Sequence, residues 1–166
     1  MRSRSRSAAL HRQSGSIAVE AALVTTFILL PLFAFILFFG RYFWYYTAAQ
    51  KAVHDATLYL ASAPLVDVRS NNAAAFSEGI IESGLSDIDQ ATRSTKSLLI
   101  VCFYRIPANA PFLSAFPCSI NSTPVQVRAG LSLTVSDPFL APFTGPVIGA
   151  DGITILAGAT MRYVGR

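Results

Sequence analysis

The twenty residues from Ala21 to Gly40 (AALVTTFILLPLFAFILFFG) contain no charge at all. At about 1.5 Å per residue in a helix they reach about 30 Å, the thickness of a bilayer's hydrocarbon core. Few soluble folds can hide such a run, so it predicts one transmembrane helix, bent at Pro31. It is longer than the roughly 7–15 apolar residues of a secretory signal. The small-residue site Thr47-Ala48-Ala49, where such a signal could be cut, lies beyond the aromatic residues that follow the run. A single carboxylate, Glu20, stands at the edge of the run. An ionisable group there is costly and marks a functional site by default.

Charge orients the segment. Arg2, Arg4, Arg6 and Arg12 precede it with no acid among them, whereas from residue 16 onward nine basic residues balance nine acidic ones. The net charge of +4 therefore belongs to the leader, and nothing in the rest of the chain predicts a nucleic-acid-binding face. Lys and Arg beside a membrane span stay on the cytoplasmic side. Only Arg41, and Lys51 further on, compete after the run. The expectation is a single-pass protein of the inner membrane, with its N-terminus cytoplasmic and residues from about 41 outside.

With 166 residues, one compact domain fits beside the span. Only 13% of the residues are charged, against ~25% in ordinary soluble domains, and mean hydropathy is +0.47. The expected organisation is a cytoplasmic leader over 1–15, unlikely to fold, and a transmembrane helix over 16–40. A helical extension outside the membrane over 41–63 and a periplasmic α+β head over 64–166 complete it. Ser16 can cap the helix, and Glu20 lies near its positive end. Tyr42, Phe43, Trp44, Tyr45 and Tyr46 follow the span, as amphipathic rings do at the outer membrane–water boundary. Tyr42, Tyr46, Ala49, Val53, Ala56 and Leu60 then recur at helical spacing, so one rod of about 70 Å is predicted over 16–62, ended by Pro64.

Beyond it, Asn71-Asn72 signals a loop and a short helix is predicted over 73–83, stopped by Gly84. The segments LLIVCFYRI (98–106), VQVRAGLSLTV (125–135) and ITILAGATMRYV (153–164) read as strands. In the second, Val125, Val127, Ala129, Leu131, Leu133 and Val135 share one face. About three antiparallel strands packed on the upper half of the long helix are expected. The connection 136–152, with three prolines, three glycines and Phe139, Leu140 and Phe143, either covers the open sheet edge or forms a tip that meets a partner or the membrane.

Cys102 and Cys118 are the two cysteines, and the expected topology puts both in an oxidising space. A disulfide between them is expected, worth about 3 kcal/mol. No metal-ligand spacing occurs, and no cofactor is expected. His54 and Asp55 are adjacent on a helix, unlike a convergent acid–base pair. No G-x-S-x-G elbow is present, and Glu82, Asp87 and Asp89 read as a solvated acidic group rather than a Ca²⁺ loop. The chain is not expected to be an enzyme.

The arginine leader, Gly15, Ser16, Glu20 and the apolar helix resemble a type IV prepilin. The order RQSGSIAVEAALV, the LP inside the run, GRYFWYYTAAQKAVHDATLYLA and the terminal LAGATMRY resemble more narrowly the TadE-like pseudopilins of the tight-adherence system, which builds Flp pili. The resemblance covers about residues 12–62 and, more thinly, the last strand. It implies cleavage after Gly15 by a prepilin peptidase, which makes Ser16 the first mature residue and Glu20 the fifth. It further implies partnership with the major Flp pilin, other pseudopilins and the assembly platform in the inner membrane. Ala21 stands where the major pilins carry tyrosine, and the head is larger than theirs, which argues for a minor subunit. A TadF-like sibling fits the same features, and a membrane-anchored binding module unrelated to pili is the alternative reading. Without the family, the physics is already suggestive: a cut after Gly15 creates an ammonium that Glu20 could neutralise in low dielectric.

Overall fold

The computed structural model describes residues 6–86, 88, 93–105, 111–136, 146 and 152–165. A single helix, α1 (Arg6–Ser62), dominates it, and its 57 residues run unbroken through Pro31. It begins ten residues ahead of the expected Ser16. Ala8, Ala9, Leu10, Arg12 and Gln13 are strong helix formers, so the leader extends the rod rather than staying unfolded.

The upper half of α1 is the spine of the head. Its buried stripe is Tyr45, Ala49, Val53, Ala56 and Leu60, with Tyr42 packed at the margin. Tyr46, expected on that stripe, is exposed, and Tyr45 takes its place. Counting back from Ala49 in steps of three and four allows either tyrosine, and the packing of the head selects Tyr45.

After Pro64 come α2 (Leu65–Arg69) and α3 (Asn72–Gly84). Asn71 between them has φ 65, the left-handed conformation that asparagine tolerates better than most residues. The five-residue α2 is too short to leave a periodic signal. Helix α3 lies against α1 through small side chains. Ser77 donates to Ala73 O at 2.8 Å and to Ala56 O at 3.3 Å, so its buried hydroxyl is satisfied. At Gly84 the helices are so close that an added Cβ would sit 2.7 Å from Ala52 Cβ.

Among the described residues four strands form one antiparallel sheet in the order β2-β1-β3-β4: β1 (Arg93–Tyr104), β2 (Ser114–Phe116), β3 (Gln126–Val135) and β4 (Ile153–Arg162). Three strands were expected. The fourth, β2, is a three-residue piece between Pro111 and Pro117, too short to alternate visibly, and it pairs through Cys102↔Phe116. The alternation read in β3 matches burial: Val127, Ala129, Leu131, Leu133 and Val135 face the core, and Arg128 is exposed. Ile155 and Ala157 of β4 and Ile81, Leu85 and Ile88 complete the core on the spine.

The last described residues return to the end of α1. Val164 N and Gly165 N donate to Ala61 O at 2.9 and 3.1 Å, and Tyr163 OH donates to Ala63 O at 2.8 Å. Ser62 Oγ bonds Leu58 O and Tyr59 O. Carbonyls left without partners at the helix C-terminus are thus satisfied by chain from the opposite end of the sequence.

Two results are expected from this packing. Gly84→Val should destabilise the head by about 1–3 kcal/mol in chemical denaturation of the full chain in detergent, because α1 and α3 must separate. Gly79→Ala, in open space on the same helix, should be neutral or stabilising by up to about 1 kcal/mol. Second, burial raises the phenol pKa of Tyr104 and Tyr163 above the ordinary 10.0. The folded state thereby favours their neutral forms. The resulting stability is complete below pH 10 and is lost as pH rises through the folded values. An alkaline unfolding titration should show this limb, and Phe at both positions should flatten it.

Candidate functional site

Below the head, α1 has no cover. Every side chain from Ser16 to Leu30 is exposed, Phe27 by 78%. The stretch has the length and hydropathy to cross a membrane, and only 11% of its most apolar window is buried. A core helix of a soluble protein passes the same hydropathy test but hides its residues, and this one does not. About fifteen consecutive exposed positions of this kind call for lipid or other apolar helices as their surroundings. The stem is a single-pass membrane anchor on these grounds.

Within the stem, Thr26 turns its hydroxyl onto its own helix, donating to Ala22 O at 2.8 Å, so that hydroxyl is satisfied without leaving the helix. Val19, Ala22, Leu23, Phe27 and Leu30 border a shallow apolar groove beside it. Glu20 is exposed and is the one charged residue between Ser16 and Gly40. The helix is continuous across Gly15 and Ser16, so Ser16 lies one turn below Glu20, about 6 Å along the axis and on the same side.

The five aromatic residues after the run do not share one environment. Consecutive helical positions turn by about 100°, so Phe43, Trp44 and Tyr46 face outward while Tyr45 is buried under the head and Tyr42 is half-buried. Arg41 Nε donates to Tyr45 OH at 2.8 Å, and its guanidinium lies 5.9 Å from that ring's centroid. The first charge after the apolar run is therefore drawn toward the head and away from the stem.

Cys102 and Cys118 are bonded to each other, Cα to Cα 4.9 Å, and both are buried. Tyr104 OH donates to Cys118 O at 3.0 Å, and Tyr163 packs in the same cluster. This group sits at the top of the spine, far along α1 from Glu20; the two sets of expected site residues are separate. His54 Nδ1 and Asp55 Oδ1 lie 3.6 Å apart on exposed surface. Glu82 pairs with Lys96, tying α3 to β1, while Asp87 and Asp89 lie outside the described residues. Phe139, Leu140 and Phe143 also lie outside them. Among the described residues there is no group of three side chains suited to a metal ion. Sequence reasoning missed Tyr163 and the contacts it makes with α1. Its place in the terminal motif was visible, but a bond spanning a hundred residues has no local signal.

Breaking the bridge with Cys102→Ser and Cys118→Ser together should lower the head's stability by about 3 kcal/mol. Proteolysis of the full chain in detergent would show it as faster loss of the region above Pro64, with the stem unaffected.

No curated protein and no solved structure shows significant similarity to the chain. The family model of the TadE-like proteins matches residues 15–58, from the glycine below Glu20 to the upper part of the spine. That family is pilus-associated and structural, and over its stem and spine this chain is similar to TadE-like proteins, which points to a part in a Tad/Flp pilus system.

Proposed function

We propose that the chain is a minor pseudopilin of a Tad/Flp-type assembly or secretion system, cut after Gly15 by a prepilin peptidase on the cytoplasmic side of the inner membrane. The observation behind it is the lone exposed carboxylate of Glu20, one helical turn above Ser16 at the foot of an uncovered apolar stem. The family match begins at Gly15, the residue before the proposed cut.

The chemistry follows from dielectric. Cleavage turns the Ser16 amide into an ammonium at nearly the depth of Glu20. Either charge alone is costly beside apolar surroundings, and the pair is cheaper, whether formed within one subunit or between neighbours. Between subunits, the pairing would set the axial register of otherwise featureless stems. The segment around Gly15 is helical, so a protease must unwind it locally. Glycine is among the least costly residues to remove from a helix, by about 1 kcal/mol relative to alanine. The head then occupies the periplasm, with the arginine leader holding the N-terminus inside. Its partners in this reading are the peptidase, the major Flp pilin, the other pseudopilins and the assembly platform.

Intact-mass measurement of the protein from its native envelope should give Ser16 as the N-terminus. Met1 or Arg2 there, with the peptidase active, would leave a plain membrane-anchored module. Glu20→Gln should still be cut yet co-purify with the other pilins at about a tenth of the wild-type level or less, the weight of one lost charge pair. Undiminished co-purification would refute the pairing.

A further inference from the structure

The lower end of the sheet does not stop above the apolar run. Ala34 and Phe38, both inside the charge-free stretch, are 6% exposed, and Ile153, the first residue of β4, packs on them. Ile153 pairs with Val135, the last residue of β3, so this end of the sheet sits at the level of Phe38 on the stem. Arg41 lies about 4.5 Å higher along α1, with its guanidinium turned up toward Tyr45. Around the rest of the helix at the same level, Phe33, Ile36, Leu37 and Phe39 are all more than half exposed.

We propose that the head meets the membrane through this end of the sheet: Ile153, seated on Ala34 and Phe38, rests in the outer leaflet at the boundary between headgroups and acyl chains, while its ladder partner Val135 stays turned into the core of the head. The proposal rests on the reading of α1 as a membrane anchor, and lipid is the occupant for three reasons. Counting about 30 Å upward from Ser16 places the top of the hydrocarbon near Ile36, and counting from Ala21 places it near Gly40, so the Phe38–Ile153 contact lies within about 3 Å of either level. The exposed apolar residues at that height ring the helix on the sides the head leaves open, as lipid would require. The sheet itself sets the upper limit of depth. Backbone groups beyond its last ladder pair cannot go unpaired into hydrocarbon. The exposed hydroxyls of Thr134 and Thr154, 3.1 Å apart, mark a polar level immediately above. The sheet end is therefore interfacial, neither clear of the bilayer nor sunk in its core.

The test uses the full chain in phosphatidylcholine vesicles, with Trp44→Phe removing the single native tryptophan and Ile153→Trp reporting from the sheet end. Lipids spin-labelled high on the acyl chain should quench about half of its emission, and aqueous acrylamide should quench it several-fold less than Leu156→Trp. Leu156, three residues along β4, is 71% exposed. Thr154→Trp, at an exposed position that tolerates the ring, should repeat the lipid quenching, which covers the case in which the Ile153 variant misfolds. Acrylamide quenching equal to that of Leu156→Trp without lipid quenching, in a chain still bound to vesicles, would overturn the proposal and leave the anchor intact. Shielding of both reporters from both quenchers would also overturn it, in favour of protein covering this end. A chain that fails to stay with the vesicles would overturn the anchor reading itself.

Discussion

One helix has to satisfy two solvents. Between Ala21 and Leu30 α1 offers apolar side chains on every side, which only lipid or other apolar helices can match. Over its upper half a buried stripe one face wide receives the head, and the open faces carry Lys51, His54 and Asp55 above the outward-facing Phe43 and Trp44. Because the backbone is continuous between the two, the stripe's azimuth is fixed by the same rod that crosses the membrane. The head therefore cannot rotate about the stem. Everything packed on Ala49, Val53 and Ala56, from α3 to the sheet, inherits its orientation to the bilayer from that single element.

The long helix, its apolar span, the short helix after Asn71 and three of the strands were legible in the sequence, because each runs long enough to show its period. The β3 alternation matched side chain for side chain. The misses share a physical cause. Strand β2 and helix α2 are shorter than a period can reveal. Tyr45 displaced Tyr46 because either fits the spacing, and the choice belongs to the shape of the packed head. The pairing of the chain's end with Ala61 and Ala63 is a contact across a hundred residues, and the seating of Ile153 on Phe38 is tertiary as well. Of the candidate site, the one-turn spacing of Ser16 and Glu20 on a helix was legible because spacing along one element is what a sequence displays directly, whereas Gly15, expected ahead of the helix, lies inside it. The unequal fates of the five aromatic residues were hidden in a run that looks uniform when read as letters.

Small residues explain how so little head covers so much helix. Ala49, Ala52, Ala56, Ala73, Ala74, Ser77 and Gly84 bring α1 and α3 within reach of each other's backbones, so contact is made by close approach and not by interlocked bulk. The larger side chains, Leu60, Tyr104 and Tyr163, gather at the upper end around the bonded cysteines. The match to TadE-like proteins ends at residue 58, within the spine, and the sheet lies outside it. A sheet that need only present one apolar face to a fixed helix is weakly constrained in its own sequence.

The tie between residues 163–165 and the top of α1 has a consequence for biogenesis. Ribosomes deliver Ala61 and Ala63 about a hundred residues before the segment that completes their bonding, and the strands facing Val53 and Ala56 also arrive late. Until then the spine is half stripped, with its apolar stripe bare. Closure of the head is therefore gated by residues 153–165, whose docking hides a stripe synthesised about a hundred residues earlier.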